Sequence, residues 1–448
     1  LFIVFNNILF LVNGELNMSN KIKSIAVLGA GTMGAGIAAL AADTGCKVLL
    51  LDISLEAAEK GKNIMVSDKA PLLSDLSKIS NVKIGTFNDN FKDIVDYDWI
   101  CEVVVEKLDI KRQIFEKIES FRKDGSIVSS NTSGIPLRDI TEGMSSRLLN
   151  DVCITHFFNP VKVMKLCEVI PGEQTSKIIL DELKIFITNV LQKGVVNAKD
   201  TVNFIGNRIG CYWMLRGLHE GKNSRELGLT QEEIDALMSK PMGLPPTGLY
   251  GLIDLIGLDV MYSVGKNLAV NLPKEDVGLN YVNLPDEEQK LYDIGQLGRK
   301  TGGGFYRIKK LDNGDKLKEV FDLKNSNWRE AQKVILDYDL KIILDDSVQG
   351  NYAWNVMGST LLYAADLIPE IAEDIVNIDR AMKWGFAWSK GPFEMIDELG
   401  PHNLIEKCKK SGSIPKMLQV LDSSGAKSFY TNDGKYLSKS GHYESIPK

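Results

Sequence analysis

The sequence predicts an α/β domain of the Rossmann type followed by all-α C-terminal domains that contain a duplicated helical module. Three observations support this prediction. Short apolar runs alternate with amphipathic stretches from Lys23 to about Asp200, and a glycine-rich turn follows the first run. After Asp200, long helical patterns broken by Gly and Pro replace the alternation. Strands that alternate with helices are typical of a parallel sheet with helices on both faces.

The N-terminal domain, predicted at residues 21–200, can be followed strand by strand. An apolar run at 24–28 precedes the glycine-rich turn, and the Ala-rich residues 37–44 suit a helix packed close to a sheet. A second strand at 47–51 ends at Asp52. Later apolar runs predict strands at 99–105, 126–129 and 152–155, with a charged helix at 109–122 after the first of them.

The C-terminal half contains an internal repeat, because Asp and Gly residues recur at nearly equal spacing. The matched pairs are Asp235 with Asp379, Gly248 with Gly391, Asp254 with Asp397, and Gly257 with Gly400. We therefore predict a first helical domain at 201–310 and a second helical repeat at 331–412. A polar linker is expected between them at 311–330, and a C-terminal tail at 413–448.

The composition excludes several classes of function. Lys and Arg number 53 and Asp and Glu 59, so the net charge of −6 points neither to nucleic acid nor to an anionic membrane. Only four histidines occur, and none stands at ligand spacing from a cysteine or another histidine, so we expect no metal site. The six cysteines form no C-x-x-C pair and favour reduced, buried thiols in a cytoplasmic protein.

The first residues are interpreted separately from the domains. Residues 1–12 are apolar, but they are too short to span a bilayer and lack the basic start of a signal peptide. We interpret residues 1–20 as a non-native or disordered leader, with Met18 as the expected start. No other stretch predicts an integral membrane segment.

The strongest local motif is G-x-G-x-x-G between a strand and a helix. Such glycines permit a tight turn, a close approach of a pyrophosphate, and close packing of helix on strand, and the helix N-terminus offers N–H groups to the phosphates. The predicted cofactor contacts in this motif are Gly29, Gly31, Thr32, Met33 and Gly34. Asp52, 21 positions after Gly31, can bind both ribose hydroxyls and would repel the 2′-phosphate of NADP, so the motif predicts NAD. The alternative is a glycine-rich turn in an unrelated α/β fold.

A histidine and a glutamate form the candidate catalytic pair. His156 follows the apolar run 152–155, and Glu168 lies in a second apolar run twelve residues later. A carboxylate in such a strand is costly without a partner, and an imidazole would satisfy it. The other imidazole nitrogen could then act as a general base in alcohol oxidation. Taken alone, a histidine at a strand end is more often structural.

Two polar clusters fit the same chemistry. Asn131 and Ser133 follow a predicted strand, and Asn207 opens the helical half. Hydrogen-bond donors near a developing carbonyl stabilise the transition state. Each residue taken alone is as well explained as a helix cap or a turn residue.

Seven segments together resemble the 3-hydroxyacyl-CoA dehydrogenase family, in the family's order from Ile25 to about Gly400. They are VLGAGTMGAGIA, VVVEKLDIK, SSNTSGIP, THFFNPVKVMKLCEVI, KDTVNFIGNRIG, RKTGGGFY and RAMKWGFAWSKGPFEMIDELG. The resemblance implies NAD-dependent oxidation of (S)-3-hydroxyacyl-CoA to 3-oxoacyl-CoA in fatty acid β-oxidation. It also implies a site in a cleft between the N-terminal and first helical domains, and a homodimer formed through the latter.

The resemblance also implies roles for individual residues. His156 would be the base and Glu168 its partner. Ser133 and Asn207 would contact the reacting 3-oxygen or hold the histidine, with Asn131 near the nicotinamide. The implied cofactor contacts outside the glycine motif are Glu106, Lys111, Asn159 and Lys300.

The duplicated module narrows the resemblance to the dehydrogenase part of bacterial multifunctional β-oxidation proteins. In those proteins an enoyl-CoA hydratase unit follows. Two alternatives therefore stay open for this chain: a single-activity form, or one part of a split gene with a separately encoded enoyl-CoA hydratase as a possible partner. The segment between Asp52 and Val82 is shorter than in those proteins, where it grips CoA, and leaves Lys60, Lys62 and Lys69 as candidates. Two other readings stay open: a crystallin-like sugar-acid dehydrogenase, and an inactive remnant or assembly subunit.

Overall fold

The computed structural model describes residues 10–12, 15–17 and 21–447 and divides the chain into two compact units, Leu1–Val195 and Val196–Lys448. Most of the predicted leader at 1–20, including Met18, lies outside the described residues. Within it, β1 (Phe10–Val12) and β2 (Glu15–Asn17) pair antiparallel.

The first unit is built around an eight-stranded sheet. Its strands are β3 (Ser24–Leu28), β4 (Lys47–Asp52), β5 (Val82–Thr86), β6 (Trp99–Glu102), β7 (Ile127–Ser130), β8 (Val152–Phe157), β9 (Leu166–Pro171) and β10 (Gly194–Asn197). Their order across the sheet is β10-β9-β8-β7-β6-β3-β4-β5. The pairs from β5 to β8 are parallel, and β9 is antiparallel to β8. This order, which reverses beside β3, confirms the predicted Rossmann-type fold.

The described residues of the first unit form six α-helices. They are α1 (Thr32–Asp43), α2 (Leu55–Met65), α3 (Leu108–Phe121), α4 (Leu137–Ile140), α5 (Ser146–Asp151) and α6 (Lys177–Ile185). Helix α1 is rich in Ala and Gly, and eight of its residues are buried. A Cβ atom on Gly34 would lie 1.8 Å from the carbonyl oxygen of Gly29, so only glycine allows this close packing of α1 on the turn. The small residues therefore bring the start of α1 directly against the end of β3.

Strand β5 was not predicted from the sequence. It lies at the edge of the sheet and reads VKIGT, with only Val82 and Gly85 buried. An edge strand buries little apolar surface, so its hydrophobic signal is weak. The five predicted strands do form, within a few residues of their predicted bounds.

The second unit is mainly helical. Its helices are α7 (Gly206–Glu226), α8 (Gln231–Leu237), α9 (Gly248–Ile256), α10 (Leu258–Asn271), α11 (Asp286–Asp293), α12 (Val348–Ala353), α13 (Ser359–Asp366), α14 (Ile375–Gly385), α15 (Pro392–Leu399), α16 (Pro401–Ser411) and α17 (Lys416–Ser424). Among the described residues, no single helix is long and apolar enough to cross a membrane; only α9 and α10 taken together, bent by 89°, pass by length and composition.

Residues 311–330, predicted to be a polar linker, contain β-strands. They contribute to a three-stranded antiparallel sheet of β11 (Tyr306–Lys310), β12 (Lys316–Asp322) and β13 (Asn327–Glu330). Val320 and Leu323 are buried, whereas most other side chains of the segment stay at least partly exposed. The charged composition therefore reflects a sheet with few buried positions within the mainly helical second unit.

The two copies of the helical module repeat the same hydrogen bonds. The Asp254 carboxylate accepts from the backbone N–H groups of Phe305 and Tyr306 at 2.8 and 2.7 Å. In the second copy, the Asp397 carboxylate accepts from the N–H groups of Phe429 and Tyr430 at 2.6 and 2.8 Å. In each copy, the corresponding aspartate therefore accepts hydrogen bonds from the backbone of a Phe-Tyr pair.

The predicted tail at 413–448 therefore belongs to the second copy. It contains α17 and a hairpin of β14 (Lys435–Leu437) and β15 (Tyr443–Ser445). Phe429 and Leu437 are fully buried. The Phe-Tyr pair of the second copy has no spacing in the sequence that matches it to Phe305-Tyr306. Phe305 follows its aspartate by 51 positions, whereas Phe429 follows Asp397 by 32.

Candidate active site

The glycine turn after β3 leaves room for a phosphate at the start of α1. Gly29 has φ +116°, and a Cβ atom there would lie 2.4 Å from the carbonyl oxygen of Val103. At Gly31, an added Cβ atom would meet no described heavy atom within 4 Å. Thr32 is exposed and Met33 half-buried, and none of the described side chains caps the first turn of α1. A pyrophosphate fits the open backbone at Gly31 and the N–H groups of α1.

Asp52 connects the ends of β3 and β4. Its carboxylate accepts hydrogen bonds from the N–H of Ala30 at 2.6 Å and the N–H of Ile53 at 2.7 Å. The side chain is half-buried at the end of β4. It therefore lies beside the glycine turn, where a ribose of a bound dinucleotide would follow the pyrophosphate.

Charged side chains form a buried cluster beside the loop that follows β6. The Lys111 ammonium contacts Glu102 at 2.9 Å and Glu106 at 3.1 Å, and its side chain is only 1% exposed. Glu102 is fully buried and also accepts from the Ser130 hydroxyl at 2.5 Å. Lys111 is therefore held inside the domain, and the geometry does not favour the predicted contact of its ammonium with NAD.

Glu106 organises the loop that carries Ser133. It accepts from the Thr132 hydroxyl at 2.6 Å and from the N–H groups of Ser133 and Gly134 at 2.9 and 3.2 Å. Burial alone would raise the pKa of Glu106, but Lys111 and these donors hold the pKa below its ordinary value. The carboxylate thus stays ionised while it fixes the loop, and it remains 39% exposed at the surface.

His156 and Glu168 face each other across two strands. They are direct partners in the antiparallel pairing of β8 with β9. The His156 Nδ1 atom lies 2.6 Å from a Glu168 carboxylate oxygen. His156 is 4% exposed and Glu168 is fully buried, and the imidazole packs on Phe158 with ring centroids 4.5 Å apart. The structure therefore places the predicted pair in contact.

The remaining polar residues of the first unit flank the same strand ends. Asn131 follows β7, and its side-chain oxygen accepts from the N–H of Phe157 at 2.9 Å. Ser133 and Asn159 are exposed, the latter two residues beyond β8. The carboxyl ends of parallel strands meet at one edge of the sheet, and ligands of such folds bind there. The glycine turn, Asp52, the Ser133 loop and the His156 pair all lie at that edge.

The second unit carries the two other predicted site residues. Asn207 is half-buried in the first turn of α7, after Asn203 and Phe204, whose φ values of +60° and +49° are left-handed. Such strained backbone is often found at functional sites. Lys300 forms an ion pair with Asp259 at 2.6 Å, and its side chain is 45% exposed.

The sequence did not single out Glu102, Ser130 or Thr132. A signal was nevertheless present, because Glu102 interrupts the apolar run WICEVVV. Lys111 occupies the same helical face as Ile114 and Phe115, which are buried. Two opposite charges on buried faces are best explained as partners of each other.

Two further observations concern the cysteines and the possible metal ligands of the described residues. All six cysteines are buried free thiols. Among the described residues, no group of three or more His, Cys, Asp or Glu side chains could hold a metal ion.

Two family models match most of the chain. The NAD-binding domain of 3-hydroxyacyl-CoA dehydrogenases matches residues 24–201, and the C-terminal domain of the same enzymes matches residues 204–308. The first match confirms NAD as the cofactor.

Individual relatives agree with these matches. A Rickettsia felis protein, provisionally named as a trifunctional enzyme of a fatty acid oxidation complex, is 36% identical over 85% of this chain and 53% of its own length. A Bacillus subtilis protein, provisionally named a 3-hydroxyacyl-CoA dehydrogenase, is 36% identical over 96% of this chain and 58% of its own length. The chain thus spans a little over half the length of these curated relatives.

A solved structure shows the same fold. The crystal structure of 3-hydroxybutyryl-CoA dehydrogenase from Escherichia coli has a TM-score of 0.69 at 22% identity, and the match covers 89% of this chain and 98% of that chain. Together with the two family models, these findings confirm the resemblance drawn from the sequence. The chain belongs to the 3-hydroxyacyl-CoA dehydrogenase family.

Proposed function

We propose that this protein oxidises (S)-3-hydroxyacyl-CoA to 3-oxoacyl-CoA with NAD, as a step of fatty acid β-oxidation. The observation that carries the proposal is the buried His156–Glu168 contact of 2.6 Å at the edge of the sheet that also holds the glycine turn. Family membership and the names of the relatives support the substrate class.

The proposed base is His156. Glu168 holds Nδ1, so the opposite nitrogen, Nε2, is directed to the substrate and takes the proton of the 3-hydroxyl group. The Glu168 carboxylate then stabilises the imidazolium that forms, because the pair lies in a buried, weakly screened environment. Bound NAD supplies the hydride acceptor for the same step.

The polar residues around the pair are proposed to orient the reacting oxygen. The Ser133 hydroxyl and the Asn207 amide donate hydrogen bonds to the 3-oxygen or hold the histidine, which lowers the energy of the developing carbonyl. Asn131 fixes the backbone of β8 next to His156. Asn159 supports the nicotinamide end.

The cofactor-binding residues are proposed to act in two groups. The first is the glycine turn, with Gly29, Gly31, Thr32, Met33, Gly34 and Asp52. In the second, Glu106 and Lys300 reach the cofactor from the loop after β6 and from the helical domain. Lys111 acts through Glu106, because its ammonium is buried against that carboxylate.

The CoA moiety is proposed to bind near α2. Lys60 and Lys69 are exposed, whereas the Lys62 ammonium donates to the carbonyl oxygen of Val82 at 2.7 Å. Lys60 and Lys69 are therefore the better candidates for the CoA phosphates.

The assembly and location of the enzyme are part of the same proposal. We expect a homodimer formed through the first helical domain, which light scattering of the full chain would test. An enoyl-CoA hydratase would supply the substrate. The buried free thiols favour a reducing, cytoplasmic location.

The substrate class is tested by comparing a thioester with its free acid. Oxidation of NADH is followed by absorbance with acetoacetyl-CoA and, separately, with acetoacetate. We expect rapid turnover of the thioester alone. Turnover of free hydroxy or oxo acids without CoA would favour the sugar-acid dehydrogenase reading. NADH binding without turnover of either would favour an inactive remnant.

A further inference from the structure

Lys193 carries a buried ammonium group outside the site residues named so far. The residue is 5% exposed and lies directly before β10. Its ammonium donates to the carbonyl oxygen of Val161 and, at 2.8 Å, to that of Met164. Among the residues that the structure describes, no carboxylate lies within ion-pair distance of it. Burying an ammonium group costs free energy unless polar groups compensate for it. The two carbonyl oxygens supply this compensation and tie the side chain to the segment that carries them.

Both carbonyls belong to the connection between β8 and β9. This connection joins the strand of His156 to the strand of Glu168. The N–H groups of Val163 and Met164 both bond to the carbonyl oxygen of Pro160 at 2.9 Å, which closes a tight turn. The ammonium of Lys193 therefore holds the turn that links the two members of the pair.

The backbone on both sides of Lys193 is fixed. Its N–H donates to the carbonyl oxygen of Ile187 at 3.0 Å, and the N–H of Gly194 donates to that of Lys165 at 2.7 Å. The preceding residue, Gln192, has a left-handed φ of +55°. A left-handed residue is common directly after a helix end, and here it turns the chain toward Lys193.

The same turn also contacts the cofactor helix. Val161 is 4% exposed, and a Cβ atom on Gly36 of α1 would lie 2.9 Å from a Val161 methyl carbon. Movement of the turn would therefore displace both the His156 strand and the helix that begins at the glycine turn.

We propose that Lys193 is a positioning residue that sets the geometry of the His156–Glu168 pair through the β8–β9 turn. The inference rests on the proposed role of His156. Without the ammonium, the two carbonyls lose their shared donor and the turn shifts. The imidazole then loses its alignment with the substrate, although Lys193 touches neither the substrate nor the pair.

The kinetic test compares Lys193→Gln, Lys193→Arg and a control in the same turn. The control is Lys162→Gln, because Lys162 is exposed and also donates to two carbonyls, those of Pro71 and Leu73. With acetoacetyl-CoA and NADH, Lys193→Gln should lower kcat roughly 10–100-fold, since a misplacement of about 1 Å can cost ~10²-fold, with KM changed less than about threefold. Lys193→Arg should recover part of kcat, and Lys162→Gln should leave it unchanged.

Two further measurements separate positioning from a general loss of structure. In the His156→Gln background, Lys193→Gln should have less than about a twofold effect on kcat, because residues that act as one unit are not additive. The chain has only four histidines, so NMR of the imidazole signals, assigned with His156→Gln, should show a shift for His156 in folded Lys193→Gln.

The outcomes distinguish this inference from the proposed function. If the wild type turns over no acyl-CoA, the proposed function fails, and the His156 signal still decides whether Lys193 positions the pair. A folded Lys193→Gln variant with unchanged kcat and an unchanged His156 signal would overturn the inference. So would equal kcat losses in the wild-type and His156→Gln backgrounds.

Discussion

At the scale of single residues, strand register brings the catalytic pair together. His156 and Glu168 are opposite partners in an antiparallel ladder, and a shift of one residue would turn one side chain to the other face of the sheet. The Glu168 carboxylate is fully buried, and its hydrogen bond with the His156 imidazole offsets part of the cost of that burial. The local fold and the proposed chemistry therefore depend on the same contact.

Replacing Glu168 should affect catalysis more than cofactor binding. Glu168→Gln keeps the shape of the side chain but removes the charge that stabilises the imidazolium. We expect kcat with acetoacetyl-CoA to fall about 10²–10⁴-fold with little change in the Kd for NADH. Glu173→Gln, at an exposed position after β9, is the control. A Glu168→Gln variant with wild-type kcat would show that the pair is structural.

Asp52 is the residue that we expect to discriminate between NAD and NADP. Asp52→Asn removes the negative charge beside the glycine turn while it keeps an oxygen for the Ala30 N–H. Hydrogen bonds to a charged group contribute about 1.5–3 kcal/mol, so the Kd for NADH should rise roughly 10–100-fold. NADPH binding should weaken less or improve, because repulsion of the 2′-phosphate is removed. Fluorescence titrations of both cofactors measure this, and equal weakening of both would contradict it.

At the scale of elements, helix α3 is tied to the sheet by charge as well as by apolar contacts. Lys111 lies on the buried face of α3 with Ile114, Phe115 and Ile118. Its ammonium contacts Glu102, the last residue of β6. This pair fixes the helix against the strand whose following loop contains Glu106.

Removing the lysine should destabilise the domain strongly. Lys111→Met leaves the Glu102 charge buried without its partner, which should lower the free energy of unfolding by about 3–5 kcal/mol. Urea unfolding followed by circular dichroism measures the change. Gln113→Met, on the exposed side of α3, should have little effect. Adding Glu102→Gln to Lys111→Met should recover part of the loss, and no recovery would argue against an ion pair as the cause.

The loop before α3 should make stability depend on pH. The pKa of Glu106 is below its ordinary value because, although burial opposes ionisation, Lys111 and the donors of the Ser133 loop favour the carboxylate. Its contribution is therefore present above the unfolded pKa of about 4.3 and is lost as the pH falls through the lower folded pKa. The Tm difference between wild type and Glu106→Gln should shrink between about pH 5 and pH 3. A difference that grows on acidification would contradict this assignment.

At the scale of the whole molecule, the sequence predicts what depends on local patterns. The glycine turn, the strand ends and the buried histidine each have a local signal, so the fold of the first unit was predicted and its candidate site residues could be named from the sequence. The cofactor contact of Lys111 was expected from the family resemblance. Its contact with Glu102, nine positions away, could not be predicted because it depends on the packing of α3 on β6.

The second unit shows where such patterns fail. Residues 311–330 were predicted to be a linker because they are charged, but pairing between strands does not require a continuous apolar face. The extent of the second copy was underestimated because Asp397 binds Phe429, a contact across 32 positions. Contacts of this kind depend on tertiary structure and carry no spacing that the sequence alone reveals.

The most direct test of the account is the activity of His156→Gln beside the wild type. NADH oxidation with acetoacetyl-CoA gives kcat, and fluorescence titration gives the Kd for NADH of the same preparations. We predict a kcat about 10²–10⁴-fold below that of the wild type, with the Kd for NADH nearly unchanged. A folded His156→Gln variant that retains wild-type kcat would contradict the assignment of His156 as the base.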